Sequence, residues 1–355
     1  MTALLSPVSS PGTRVTAEAV AAGRARRGRR RLAVMAALAL LIVAAFLANV
    51  MLGRTYYPLP DVVRVALGQD VPGASFAVGR LRLPRAVLAV LAGACFGFGG
   101  VTFQTMLRNP LASPDLIGIT AGASAAAAFA IVTVGLSGTS VSLVAIVASL
   151  AVALLIYVLS FKDGVHGTRL VLIGIGIAAM CVSITDYVLS RASQWDMQET
   201  LRWLSGSLNG VSWTEALPTL GALVVLAPVL LTQARNLNLL QLGDDAASAL
   251  GVSVERTRLT VILAAVGLIA FATAATGPIA FVAFLAGPIA ARLVGPGGSL
   301  LVPAALVGAL LVLVADYFGQ YAFDTRLPVG VVTGVLGAPY LVYLIVRSNR
   351  VGGSL

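Results

Sequence analysis

The sequence predicts an all-α membrane protein of about ten transmembrane helices, and three observations carry that prediction. Hydrophobic residues make up 58% of the chain and charged residues 11%, with a mean hydropathy of +0.95, whereas about 25% of a soluble domain is charged. Uncharged runs long enough to cross roughly 30 Å of hydrocarbon recur along the chain. Lys and Arg divide unequally between alternate loops, which is the bias that orients a membrane bundle.

The first six spans are expected at residues 32–52, 86–106, 116–136, 141–161, 170–189 and 216–231. No residue from 259 to 291 carries a charge, and at about 1.5 Å per residue a single helix over that run would overshoot one bilayer. Gly277-Pro278 divides it into spans seven and eight. Residues 300–315 and 329–346 complete ten spans. With ten spans and both termini cytoplasmic, 16 of the 24 basic residues fall inside and 8 outside. A single span over 259–291 would move Arg292, Arg347 and Arg350 outside and weaken the bias.

Two parts are expected: residues 1–30, a disordered basic cytoplasmic tail, and residues 31–350, the ten-helix domain. The Ala, Ser, Pro and Thr content of residues 1–23 predicts disorder there. Much of the net charge of +10 comes from Arg14, Arg24, Arg26, Arg27, Arg29, Arg30 and Arg31. Placed directly before the first span, they read as a topology anchor on anionic membrane lipid rather than a nucleic-acid surface. The first apolar run exceeds the roughly 7–15 residues of a cleaved signal, so it is expected to be a retained span.

Chemistry-bearing residues are sparse. Cys95 and Cys181 fall inside spans without a neighbouring Cys or His and read as packing residues, and the lone His166 sits in a loop. No metal site and no cofactor of this chain's own are expected. Gly93/Gly97, Gly118/Gly122 and Gly330/Gly334 are each four apart, the spacing at which helix backbones approach closely in lipid. Trp195, Trp203 and Trp213, with Tyr56 and Tyr57, read as an interfacial aromatic belt. Only Asp186 and Asp316 intrude into spans, near Arg191 and Arg326 respectively, which argues against an ion-coupled transporter with midplane carboxylates. An intramembrane enzyme would need convergent catalytic groups, and none is evident. A self-contained pump would need a G-x-x-x-x-G-K-[ST] loop. The single lysine, Lys162, follows Phe161, so any ATPase is a separate chain.

Residues 235–258 are the longest mixed polar stretch after the first span. Asp244 is expected to N-cap a short helix ending near Leu250, with Gly251 as a left-handed terminator and Ser253 capping the next start. So short a helix needs a surface to lie against. The stretch "LNLLQLGDDAASALGV" resembles the cytoplasmic coupling loop of the FecCD family, the permeases of ABC importers for iron siderophores, haem and cobalamin. "RLPRAVLAVLAGACFGFGGVTFQTMLRNPLASPDLIGITAGAS" at 82–124, "WLSGSLNGVSW" at 203–213, "GPIAFVAF" at 277–284 and "LPVGVVTGVLGAP" at 327–339 extend the resemblance over residues 31–347.

The resemblance implies a ten-span permease working as a dimer in the bacterial plasma membrane. Its expected partners are an ABC ATPase dimer, which uses ATP and Mg, an extracytoplasmic substrate-binding lipoprotein, and a second FecCD-like permease chain, with a heterodimer favoured over a homodimer. The coupling loop maps to Gly243, Asp244, Asp245, Ala247, Leu250 and Gly251. Arg82, Arg85 and Arg326 are expected to receive acidic residues of the binding protein, with lipid phosphate as the competing reading. Gly167 and Thr168 are held as a candidate cytoplasmic gate. Three departures stand out: Gly287-Pro288 where the family often has Pro-His, Gln320 in place of an Arg, and Arg326 in place of an acidic residue. The expected cargo is an iron-siderophore-type chelate, with haem or cobalamin as the alternative.

Overall fold

The structure, a computed structural model, describes residues 17–115, 117–161 and 167–351. It is built from helices: α1 (Ala17–Met51), α2 (Leu59–Ala66), α3 (Leu83–Met106), α4 (Ile119–Val132), α5 (Thr139–Ser160), α6 (Gly167–Ser190), α7 (Gln194–Leu204), α8 (Trp213–Thr232), α9 (Ala234–Leu240), α10 (Asp244–Ala249), α11 (Val254–Thr276), α12 (Val282–Val294), α13 (Leu301–Tyr321) and α14 (Val329–Val351). A π-helical turn, Ser75–Arg82, leads into α3.

Among the described residues, α1, α3 with its π-helical lead, α5, α6, α8, α11 and α13 are long and apolar enough to cross a membrane. The shorter apolar helices α4 and α12, and the apolar Val329–Tyr343 part of α14, stand where the third, eighth and tenth spans are expected, so the chain is a multi-pass membrane protein. α4 and α12 have 14 and 13 residues, too few at about 1.5 Å each to cross the hydrocarbon alone. Non-helical backbone completes their path. Ala112, Ser113, Ile117 and Ile279 are buried in those stretches, and irregular backbone at membrane depth is tolerated when protein surrounds it.

α3 is the centre of the bundle. Twenty of its 24 residues are buried, as expected of a helix that is apolar on every side, and it packs on α13, α11, α12 and α8. A Cβ at Gly93, Gly97 or Gly308 would overlap backbone of the facing helix, Gly308, Ala304 and Gly93 respectively. The four-residue glycine spacing therefore marks a real contact between α3 and α13. The same spacing at Gly330 and Gly334 does not: Gly330 abuts the Ser205 carbonyl, whereas Gly334 has nothing within 4 Å. Cys95 and Cys181 are free and buried.

The tail departs from expectation. Residues 17–30 are helical and continuous with α1, because an Ala- and Arg-rich segment with strong helix propensity extends a span that has already met the nucleation cost. Arg30 donates to the Leu293 carbonyl at 3.3 Å, and Arg31 to the carbonyls of Gly297 and Ser299. Residues 1–16, including Arg14, lie outside the described residues, as do Lys162 and His166. Helix alternation brings the start of α1 and the end of α14 to the end of the bundle that carries α10, and leaves α2, the π-helical turn and α7 at the opposite end.

Candidate functional site

The polar chemistry gathers at the two ends of the bundle. At one end, α8 passes through Gln233 into α9, which buries Leu237 and Leu240. Gly243 at φ +109° lets the chain turn into α10, and Ala247 is fully buried beneath it. Gly251 at φ +84° ends the helix, as expected.

The role expected of Asp244 is corrected. Gly243 is the N-cap residue, without a side-chain bond, and Asp244 sits one position inside the helix. Its carboxylate accepts from Arg108 at 2.8 Å and from Arg258 at 2.9 Å on both oxygens. Two guanidiniums are stronger partners for a carboxylate than the terminal amides it would otherwise cap. Ser253 is the N-cap residue of α11 but makes no side-chain cap bond. α10 is thereby tied to the loop after α3, where Arg108 holds a left-handed backbone at φ +53°, and to the start of α11. Asp245 is exposed, as are Leu242 and Leu250 at 63% and 58%.

The loop between α3 and α4 also carries Asp115. Its carboxylate accepts hydrogen bonds from the Thr120 hydroxyl at 2.9 Å and the Ser113 hydroxyl at 3.4 Å. Nearby, Gln104 donates to the Pro110 and Phe284 carbonyls at 3.1 and 2.9 Å. A Cβ at Gly287 would overlap the Gln104 amide oxygen. The Gly287-Pro288 departure is therefore where α12 makes room for Gln104. Gly167 and Thr168 open α6, with Thr168 exposed.

At the opposite end, Arg85 forms the described residues' most buried ion pair. Its Nε and Nη2 donate to the two oxygens of Asp316 at 2.8 and 2.7 Å, and its Nη1 to Asn209 at 2.6 Å. Side-chain exposure is 14% for Arg85 and 2% for Asp316. Gln320 adds a 2.8 Å bond to Asp316. The expectation that Asp316 faces Arg326 is thus corrected: the α3–α13 contact brings Arg85 to it first. Arg82 is also engaged, donating to the carbonyls of Val50, Met51 and Thr55 and lying 4.9 Å from the Tyr57 ring centroid. Arg326 is exposed and makes no ion pair among the described residues.

These residues surround a basin of about 630 Å³ lined by five arginines: Arg54, Arg82, Arg85, Arg202 and Arg326. A neighbouring cavity of about 730 Å³, lined by Trp195, Trp203, Glu199 and Glu215, shares Arg202 and Asn209 with it. The tryptophans divide accordingly. Trp195 is 83% exposed, Trp203 packs against the buried faces of α4, α5 and α11, and Trp213 donates to the Gly79 carbonyl at 3.2 Å. Sequence reasoning missed Asn209, which joins the α7–α8 loop to Arg85, and the exposed Arg54 and Arg202. A count of basic residues per loop contains Arg54 and Arg202 but cannot show that they converge.

Among the described residues, no group of three or more His, Cys, Asp or Glu is placed to hold a metal ion. Residues 40–347 match the FecCD transport family. The chain is 39% identical to the ferric enterobactin transport system permease protein FepG of Escherichia coli, over 81% of this chain and 88% of that one. It is 36% identical to the iron(3+)-hydroxamate import system permease protein FhuG of Bacillus subtilis, over 90% of this chain and 98% of that one. A solved structure of a metal-chelate type ABC transporter in an inward-facing conformation superposes with a TM-score of 0.80 at 28% identity, covering 88% of this chain and 99% of the other. The chain belongs to the FecCD transport family.

Proposed function

We propose that this chain is the membrane-spanning permease subunit of an ABC importer for an iron-siderophore-type chelate. A separate ATPase drives it from the cytoplasm and an extracytoplasmic binding protein feeds it. The observation that carries the reading is α10: a six-residue helix too short to stand alone, fastened by Arg108 and Arg258 through Asp244 and flanked by exposed Leu242 and Leu250. Such an element transmits a push only if another chain grips its outer face. The end bearing α10 is the cytoplasmic one on this reading, which agrees with the excess of basic residues there, and both termini share it. The opposite end then meets the binding protein, with Arg82 and Arg85 engaged within the fold. Names of relatives as different as ferric enterobactin and hydroxamate permeases support an iron chelate as cargo; haem or cobalamin is the second reading, supported by relatives named for hemin and cobalamin import. A second, similar permease chain completes the pore, as a heterodimer in preference to a homodimer.

Replacing Leu250 and Gly251 with bulky charged residues tests the reading. The expected result is loss of ATPase association and of ATP-driven uptake in proteoliposomes, with membrane insertion retained. Uptake at parental rates in that variant, or in vesicles without any ATPase, would overturn it. Native mass measurement of the complex from its host decides the stoichiometry: two copies of this chain alone exclude the heterodimer.

A further inference from the structure

The basin at the α7 end carries more positive charge than the fold uses. Arg82 is taken up by three backbone carbonyls and Arg85 by Asp316 and Asn209. Arg54, Arg202 and Arg326 are exposed and make no ion pair among the described residues. They come from three separate segments, the α1–α2 loop, α7 and the α13–α14 loop, yet line one cavity. That end of the bundle also holds acidic residues, including Asp61, Asp70, Asp196 and Asp324. None of them lines the basin; Glu199 and Glu215 line only the adjoining cavity that shares Arg202. Unscreened like charges repel, so three free guanidiniums converging on one hollow favour a polyanion there. The volume of about 630 Å³ lies within the roughly 300–1,000 Å³ of small-ligand sites. Asn209, Gln320 and Tyr321 add neutral polar groups to the wall, while Leu208 and Val211 supply an apolar floor.

We infer that this basin is a binding site for the chelate itself, and that the transported class is therefore a metal chelate of net negative charge, such as a ferric complex of a carboxylate or catecholate ligand. This rests on the permease reading. The hollow shape favours a compact chelate over the carboxylates of a docked protein, since protein partners meet broad, nearly continuous surfaces of roughly 800 Å² per side, not a single concave cluster of charge. Arg54, Arg202 and Arg326 would contact the ligand, and Arg85 would act as a positioning residue through Asn209.

The test uses the full chain with its permease and ATPase partners in nanodiscs, without binding protein. A trianionic ferric tricatecholate and an uncharged ferric trihydroxamate of similar size serve as probes. The parent complex should bind the trianion saturably and more weakly as salt rises, because salt screens exposed charge. Replacing Arg54, Arg202 and Arg326 together with Gln should weaken that binding roughly tenfold, from three modest exposed contacts added together, and should flatten the salt dependence. Binding of the neutral probe should not change. The ATPase should remain assembled, showing that the variant is folded. No saturable binding of the trianion, or equal binding by the triple variant, overturns the inference. With binding protein added to the same nanodiscs, loss of its docking by the triple variant while chelate binding stays intact also overturns it and assigns the arginines to protein carboxylates. If ATP-driven uptake into proteoliposomes supplied with binding protein persists for a neutral chelate only, the anionic class falls while the permease reading stands; absence of any ATP-driven uptake there removes the permease reading as well.

Discussion

Truncating Arg85 while leaving Asp316 in place should be among the most damaging single changes in the protein. The two side chains meet through paired bonds of 2.8 and 2.7 Å, and Asp316 is 2% exposed. Two unit charges about 4 Å apart attract by roughly 4 kcal/mol at an effective dielectric near 20. Arg85→Met removes that attraction and strands a carboxylate with only Gln320 as a donor, a loss of about 3–5 kcal/mol. Asp316→Leu strands the guanidinium and should cost a similar amount. The double variant Arg85→Met/Asp316→Leu strands neither charge and replaces the pair with apolar groups of comparable size, which is often close to neutral. Asn209 and Gln320 each lose a partner in it, so a residual cost of about 1–2 kcal/mol is expected. Thermal unfolding of the detergent-purified complex, run as a double-mutant cycle, measures the coupling. If the losses in the two single variants simply add in the double variant, the pair is not coupled and the reasoning fails. Binding-protein association measured on the same three variants separates a pair that braces α3 against α13 from an arginine that meets the partner directly: the double variant should associate as the parent does.

Further outcomes follow from the packing and the loops. Gly97→Leu should lower the melting temperature sharply, since even a Cβ there overlaps the Ala304 carbonyl and lies 2.9 Å from the Ala305 Cα, and overpacking costs about 1–3 kcal/mol or more. Gly334→Leu, with nothing within 4 Å, should leave the stability of the isolated chain nearly unchanged; equal losses at both positions would refute the α3–α13 contact. Arg258→Met should weaken ATPase association more than Arg108→Met, because Arg258 is 7% exposed and holds both Asp244 oxygens, whereas Arg108 is 43% exposed and holds one. Pull-down of the ATPase by each variant ranks them.

What was legible in the sequence was what one-dimensional patterns encode. Run length and the basic-residue bias located the ten apolar helices, and the glycine spacing at 93 and 97 marked a close helix contact. The shortened α4 and α12 were not legible, because hydropathy does not distinguish a helical apolar segment from an irregular one sheltered by protein. Gly330 and Gly334 show the limit of the spacing rule: the motif is identical, but only Gly330 meets another backbone. The polar site depended on pairings across long separations. Arg85 and Asp316 lie 231 positions apart, and sequence proximity pointed Asp316 toward Arg326 instead. Asp244 had the position and chemistry of a capping residue, and only the arrival of Arg108 and Arg258 redirected it.

The central position of α3 also bears on how the chain is made. A membrane protein is delivered to the bilayer from its amino terminus, so α3 enters while α11, α12 and α13 have not yet been synthesised. About 215 residues separate the end of α3 from the end of α13, which at roughly 5–20 residues per second is a wait of about 10–40 s. During that interval the glycine-lined face of α3 has only lipid or a chaperone to cover it, and the later helices must assemble around a strut already in place. A ribosome stalled before residue 301 would therefore release a chain that is inserted yet lacks the helix on which Gly93, Gly97 and Asp316's partner Arg85 close, and membrane quality-control proteases should find that product far sooner than the finished one.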